Sequence, residues 1–247
     1  MAVAATLAAV GGSACCFKLL NAAVGVLPAP GAAAKRAWKW RNTCTSLAHS
    51  ALSGAGALIC FYLQPQMGND LLYFHSALSH SLVAASTGYF IHDFLDLALN
   101  EPFRKSWEVL LHHSMVISCF GFALRSGVCV GFAVASLLVE IHSVFLHIRQ
   151  TGEGAAARRP SLVYSVASWL NLGALVVFRL GTLCWMTRWL TRQTQRLPLF
   201  VLMLGTAGLS LISTMSLGLF YRLLRADVLT NPATVRERKG VPLNMAP

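Results

Sequence analysis

The sequence predicts an all-α protein, a multi-span transmembrane helical bundle, and two features of the chain carry that prediction. Hydrophobic residues make up 55% of the 247 residues, whereas charged residues make up 12% and the mean hydropathy is +0.59. A soluble domain of this length would carry more charge on its surface. The apolar residues are also grouped in stretches of about 20, the length that an α-helix needs to cross the hydrocarbon core of a bilayer.

Seven apolar windows of that length follow one another along the chain. They lie at roughly residues 3–27, 43–63, 74–99, 107–124, 127–149, 161–187 and 198–221. We interpret the first window as an uncleaved helix, because no basic residues precede it and it extends to Pro28; a signal peptide is the alternative. The chain then divides into an N-terminal transmembrane helix and loop (1–36), a domain of six spans (37–225) and a polar tail (226–247) for which we predict disorder.

Basic residues are unevenly distributed between the two sides of the predicted bundle. The first, third and fifth loops and the tail carry most of them, and the opposite side holds only Arg125, Arg188, Arg192 and Arg196. Because short loops rich in Lys and Arg stay in the cytoplasm, the tail is predicted to be cytoplasmic. This distribution and attraction to anionic headgroups account for the net charge of +11, so we predict no nucleic-acid partner.

Ionisable side chains interrupt the middle windows, and such groups are costly at membrane depth, so each needs a purpose. The second window carries a stripe of polar residues at helical spacing, namely Asn42, Ser46, His49 and Ser53. In the third window His92 and Asp96 share a helical face, and Asp93 and Asp96 are also neighbours, so a carboxylate can orient an imidazole there. Contact with headgroups at the end of the helix is the alternative for this group.

The fourth and fifth windows add a second set of titratable groups. Glu108 and His112 are four residues apart and share a helical face, whereas the adjacent His113 should point elsewhere. One histidine could act as acid or base while the other orients, so His112 and His113 are the catalytic candidates. Glu140 and His142 place further titratable groups in the fifth window.

Arg179 falls near the middle of the sixth window, where an unpaired guanidinium would be expensive. We predict that it pairs with Glu140, with Glu108 and Asp93 as alternatives. For Arg179, a role in joining helices is as well supported as a role in catalysis. If these polar groups face inward, they enclose a cavity that a lipid acyl chain can enter from within the bilayer. The substitution Ser114→Trp, at a small residue beside the histidines, would then obstruct the cavity.

Other common chemistries find little support in the sequence. Eight histidines suggest a di-iron site, but His75 and His80, like His142 and His147, are five residues apart and face different sides of a helix. No HxxxH or HxxHH box occurs, so we predict no metal site. No GxSxG elbow is present for a serine nucleophile. The seven cysteines contain no CxxC pair, so neither a zinc site nor a disulfide framework is predicted.

Three strings carry most of the polar groups: GYFIHDFLD at 88–96, SWEVLLHH at 106–113 and LLVEIHSVFLHIR at 137–149. They resemble the TLC domain, which is shared by ceramide synthases, translocating-chain-associated membrane proteins and several small multi-span proteins. The resemblance covers roughly Ala37 to Arg225. Further strings, among them SLAHSALSG at 46–54 and RLLRADVL at 222–229, are most similar to one branch of the small multi-span members.

The resemblance implies a multi-pass plasma-membrane protein that regulates membrane phospholipid composition and fluidity, limiting the incorporation of polyunsaturated acyl chains into phospholipids. Its partners would be membrane phospholipids, and lipid-modifying enzymes or other membrane proteins, with no cofactor. The alternative is an acyltransferase that acts on phospholipid, lysophospholipid or sphingoid substrates through His112 and His113, with acyl-CoA as donor. A second ceramide synthase motif is replaced here by Val139-Glu140-Ile141-His142-Ser143, so we favour the regulator.

Overall fold

The computed structural model describes residues 3–29, 36–153 and 162–226, which form ten α-helices and one π-helical segment. The helices are α1 (Val3–Val26), α2 (Ala37–Leu63), α3 (Gln66–Asn69), α4 (Ala77–Asn100), α5 (Phe103–Ser126), α6 (Val130–Leu137), α7 (Glu140–Glu153), α8 (Leu162–Ala174), α9 (Gly181–Arg192) and α10 (Leu199–Leu224). The π-helical segment, Leu175–Leu180, joins α8 directly to α9. The described residues contain no strand, and the predicted all-α class is confirmed.

Six helical segments in the described residues are long and apolar enough to cross a membrane. They are Val3–Val26, Ala37–Leu63, Phe103–Ser126, Val130–Thr151, Ser168–Arg192 and Leu199–Leu224. They match six of the seven predicted windows and confirm the multi-span bundle. The remaining window is α4, which has 24 residues but a lower mean hydropathy because it contains His92, Asp93 and Asp96. These three side chains are buried against protein, so we treat α4 as an interior seventh crossing.

Helix ends coincide with residues that favour them. Ser76 and Ser79 form a reciprocal capping box at the start of α4, in which each hydroxyl accepts a hydrogen bond from the other's backbone amide. Gly127 adopts a left-handed conformation, with φ of 69°, where α5 ends. Pro102 and Pro198 directly precede α5 and α10, and proline lacks the amide hydrogen that a helix interior requires.

The N-terminal helix α1 packs tightly against α4. Thr6 and His80 share a hydrogen bond of 3.1 Å. Gly88 of α4 allows a close backbone approach, because a Cβ atom at this position would lie 2.5 Å from the carbonyl oxygen of Val10. Through these contacts α1 forms part of the bundle wall.

The loop after α1 and the C-terminal tail fall largely outside the described residues. Residues 30–35 and 227–247 are not described, so the disorder of the tail stays a prediction. Within the described residues, the predicted domain of six spans begins with α2 and ends with α10.

Candidate functional site

A cavity of about 710 Å³ lies inside one end of the bundle. Its walls come from α2, α4, α5, α7, the π-helical segment and α10. The charged groups and imidazoles that line it are Arg36, Lys39, Asp93, Glu101, Lys105, His112, His113, Glu140, His147 and Arg179. Pockets that bind small molecules commonly have volumes of about 300–1,000 Å³, so the cavity can receive part of a lipid.

Asp93 of α4 lies where α2 and α5 meet the cavity. Asn42 Nδ2 donates a hydrogen bond of 2.6 Å to Asp93 Oδ1. His113 Nδ1 lies 3.5 Å from Asp93 Oδ2, and both side chains are buried. This contact lacks the alignment of a hydrogen bond, but it places the carboxylate where it can orient the imidazole. Catalytic contacts are often this long before a ligand binds.

His112 and His113 both line the cavity. Their ring centroids are 5.4 Å apart, and the Phe90 ring lies 6.3 and 5.2 Å from them, respectively. We expected the two histidines to face different surroundings because neighbouring positions on a helix differ by about 100°. The cavity borders enough of the α5 surface for both rings to reach it.

Asp96 and His92 occupy other positions around α4. Trp38 Nε1 donates a hydrogen bond of 2.9 Å to Asp96 Oδ2, and Arg41 Nη2 lies 3.7 Å from Asp96 Oδ1. Asp96 therefore attaches α2 to α4. His92 is also buried but does not border the cavity; it interacts electrostatically with Asp96 and with Lys18 of α1.

His49 supports the cavity wall from behind. Its ring stacks on Tyr89, with centroids 3.7 Å apart and planes 7° apart, and Tyr89 lines the cavity whereas His49 does not. Phe17 of α1 packs edge-on against both rings, at 5.8 and 5.1 Å. Through this three-ring stack, α1 contacts the cavity wall.

Glu140 at the start of α7 is fixed by α2. Ser50 Oγ donates a hydrogen bond of 2.7 Å to Glu140 Oε2. Both residues line the cavity, and Ser50 is almost completely buried. The serine was not among the residues singled out from the sequence, although it lies one helical turn after Ser46 in the polar stripe.

Arg179 is carried into the cavity wall by the π-helical segment, a structure found frequently at functional sites. Its Nε donates a hydrogen bond of 3.0 Å to Ser216 Oγ of α10. Its Nη1 lies 3.3 Å from His142 Nδ1 and 3.5 Å from Ser143 Oγ, both in α7. Neutral groups on two helices thus hold the guanidinium.

The predicted ion pair between Arg179 and Glu140 is therefore wrong as a direct contact. The two groups interact electrostatically, but Glu140 accepts its hydrogen bond from Ser50, and the described bonds of Arg179 go to hydroxyls and an imidazole. Sequence reasoning considered only carboxylates as partners. It missed Ser216, which is one of several hydroxyl residues in the largely apolar α10 and which no pattern in the sequence distinguishes from the others.

Two predicted positions on α5 lie away from the cavity. The Glu108 side chain is 48% exposed and lies 3.8 Å from Arg222 of α10. Ser114 is exposed and donates a hydrogen bond to the Leu110 carbonyl, so a tryptophan there would point away from the cavity. The face of α5 that lines the cavity is Lys105, Ser106, Val109, His112 and His113. His112 lies at the edge of this face and Glu108 lies just beyond it.

The described part of the chain contains no group of three or more His, Cys, Asp or Glu side chains arranged to hold a metal ion. Its polar cavity instead combines imidazoles, carboxylates and hydroxyls within apolar helices. This combination defines a multi-pass helical membrane protein with a polar, histidine-containing cavity.

The sequence profile of the TLC domain matches residues 39–225, and the chain belongs to the TLC domain family, as the resemblance predicted. It is 49% identical over 211 residues to TLC domain-containing protein 2 of Danio rerio, covering 85% of each chain. With TLC domain-containing protein 2 of Homo sapiens it shares 44% identity over 219 residues, 89% of this chain and 83% of the relative. With TLC domain-containing protein 1 of Gallus gallus it shares 38% identity over 229 residues, which cover 91% of this chain and 89% of the relative. No solved structure matches the chain significantly.

Proposed function

We propose that the protein regulates the phospholipid composition and fluidity of the plasma membrane by holding a membrane lipid in the cavity, which limits the incorporation of polyunsaturated acyl chains. The observation that carries the proposal is the mixed lining of the 710 Å³ cavity. Carboxylates and imidazoles form one part of the wall, and Met215 and Leu219 of α10 contribute apolar side chains. A phospholipid has a polar and an apolar part, which such a lining can receive together.

We further propose that the cavity faces the cytoplasm. Its mouth is lined by Arg36 and Lys39 at the start of α2, Lys105 at the start of α5 and Gln150 near the end of α7. These helix ends lie on the side of the bundle that is richer in basic residues, and cytoplasmic loops of membrane proteins carry an excess of Lys and Arg. A C-terminal epitope tag should be stained only after cells are permeabilised, and staining of intact cells would reverse this orientation.

The substitution Val109→Trp tests whether the cavity is used. Val109 lines the cavity on α5, so an indole there fills space that the lipid would occupy. In cells that lack the endogenous protein, we expect wild type to restore the phospholipid profile. Val109→Trp should leave at least about half of the defect, because the indole occupies the space for the lipid and overpacks the neighbouring side chains. The measurement is the polyunsaturated fraction of phospholipid acyl chains, by mass spectrometry at matched protein abundance.

Ser114→Trp is the matched control for this experiment. It adds the same indole to the same helix, but Ser114 lies outside the cavity lining, so this variant should restore the profile as wild type does. Equal behaviour of the two tryptophan variants would contradict a function that depends on the cavity.

An acyltransferase is the second candidate function, and the contact of 3.5 Å between Asp93 and His113 favours it. With acyl-CoA as donor, one of the paired histidines would take the proton from an acceptor hydroxyl while that oxygen attacks the thioester carbonyl. The proton would then pass to the departing thiolate. Asp93 would orient the His113 imidazole during the transfer.

The double substitution His112→Ala with His113→Ala distinguishes the two functions. Because the regulator needs the cavity but no imidazole chemistry, we expect the double variant to restore most of the phospholipid profile in the same cells. The acyltransferase predicts no restoration at normal abundance and melting temperature, since removal of a general base commonly costs about 10²–10⁴-fold in rate. Failure of both this variant and Val109→Trp would therefore favour the enzyme.

A further inference from the structure

Arg179 is a partly buried cation without a direct anionic partner among the described residues. Its hydrogen bonds with described residues go to Ser216, His142 and Ser143, all of them neutral acceptors. An arginine side chain has five N–H donors in a planar fork, and it remains charged inside a protein. A guanidinium at membrane depth is costly unless an anion compensates it.

The nearby carboxylate does not fill this role by direct contact. Glu140 interacts with Arg179 electrostatically, but its Oε2 atom accepts the 2.7 Å hydrogen bond from Ser50 of α2. Arg179 and Glu140 both line the cavity. The guanidinium is therefore in the wall, accessible to a ligand, and incompletely compensated.

The surroundings of Arg179 also favour the binding of an anionic ligand. Arg179 lines the same cavity as the paired histidines and interacts electrostatically with His112. At the mouth, Arg36, Lys39 and Lys105 add positive charge, and only Lys105 has a described acidic partner, Glu101 at 3.9 Å. Charges of one sign along a cleft raise the local concentration of oppositely charged ligands.

We propose that Arg179 binds the oxyanion of a lipid held in the cavity, either the phosphate of a phospholipid or the carboxylate of a fatty acid. The planar guanidinium matches both groups, because each presents two oxygen atoms to two N–H donors. Ser143 and Ser216 fix the guanidinium in the wall so that it is positioned before the ligand arrives. The inference rests on the proposed function in requiring that the cavity holds a lipid.

The test measures binding of charged and neutral lipid pairs to the purified full chain in non-ionic detergent. Oleate is compared with oleyl alcohol, and dioleoyl phosphatidate with dioleoylglycerol, by the shift in melting temperature and by titration of bound lipid. Wild type should bind at least one charged probe about tenfold or more tightly than its neutral counterpart. The pair that shows the preference identifies the source of the oxyanion.

Two variants assign the preference to Arg179. Arg179→Gln can keep a hydrogen bond to a serine but loses the charge, so the preference for the charged probe should disappear. Ser216→Ala keeps the charge but removes one contact that positions the guanidinium, so the preference should weaken without disappearing. If Arg179 served only to join helices, both variants would lower the melting temperature and neither would change the preference.

The possible failures are distinguishable. Equal binding of charged and neutral probes by wild type overturns the role of Arg179 whether or not any variant folds, and so does an unchanged preference in Arg179→Gln. If that variant does not fold, Arg179→Lys keeps a charge without the planar fork and should retain only part of the preference. Absence of binding by every probe to wild type would instead overturn the lipid-holding function itself.

Discussion

Gly88→Ala is expected to destabilise the protein by about 1–3 kcal/mol or more, because it forces α1 away from α4. The added Cβ would lie 2.5 Å from the Val10 carbonyl oxygen, 2.6 Å from the Ser13 Cβ and 2.8 Å from the Ala14 amide nitrogen. Two of these atoms belong to the backbone and cannot rotate away. In an open helix the same change would stabilise by about 1 kcal/mol, so the close contact reverses the sign.

Gly121→Ala provides the matched comparison. Gly121 is also in a transmembrane helix, and nothing lies within 4 Å of the position that its Cβ would occupy. We expect the melting temperature of the detergent-purified protein, followed by fluorescence-detected gel filtration, to fall clearly for Gly88→Ala and to stay level or rise for Gly121→Ala. Similar values for the two variants would mean that α1 is not packed on α4 as described.

Glu140→Leu is expected to cost about 3 kcal/mol, since it removes the carboxylate that interacts electrostatically with the partly buried Arg179 guanidinium. It also leaves the Ser50 hydroxyl without its acceptor. Ser50→Ala should cost less, about 1–3 kcal/mol, because it removes one hydrogen bond to a charged group and keeps both charges. Protein abundance in cells and melting temperature in detergent would report both losses.

Coupling between the two charges is tested by adding Arg179→Leu to Glu140→Leu. The two groups are not in direct contact, but they interact electrostatically. We therefore expect the double variant to be less destabilised than the sum of the single variants, by about 0.5 kcal/mol or more. Strict additivity would show that the two charges are independent. A double variant as stable as wild type would show that each charge stabilises the fold only by compensating the other.

Much of the cavity follows from the sequence, because ionisable residues in apolar helices must face one another or water. Asp93, His112, His113, Glu140 and Arg179 were all selected on this ground, and all line the cavity. The same reasoning predicts that α4 is a membrane span, although its polar residues lower its mean hydropathy. The helices themselves are specified by the length of the apolar windows and by their turn residues.

The misplaced residues depend on helix rotation and on packing, which periodicity does not determine. Glu108 shares a helical face with His112, yet it lies beyond the edge of the cavity and contacts Arg222 instead. Whether a given edge is inside or outside depends on how α5 and α10 pack side by side. Arg179 lies in a π-helical segment, and the changed turn alters which neighbours it contacts in a way that regular α-helical periodicity does not predict.

The stack of Phe17, His49 and Tyr89 extends beyond the part of the chain that matches the family profile. The shared family domain covers residues 39–225, so it excludes Phe17, and it excludes Trp38, whose indole binds Asp96. Yet Phe17 packs on Tyr89, whose ring forms part of the cavity wall. The segment that matches the family profile is therefore smaller than the packed bundle, and a truncation at residue 39 would remove one layer from behind the cavity wall.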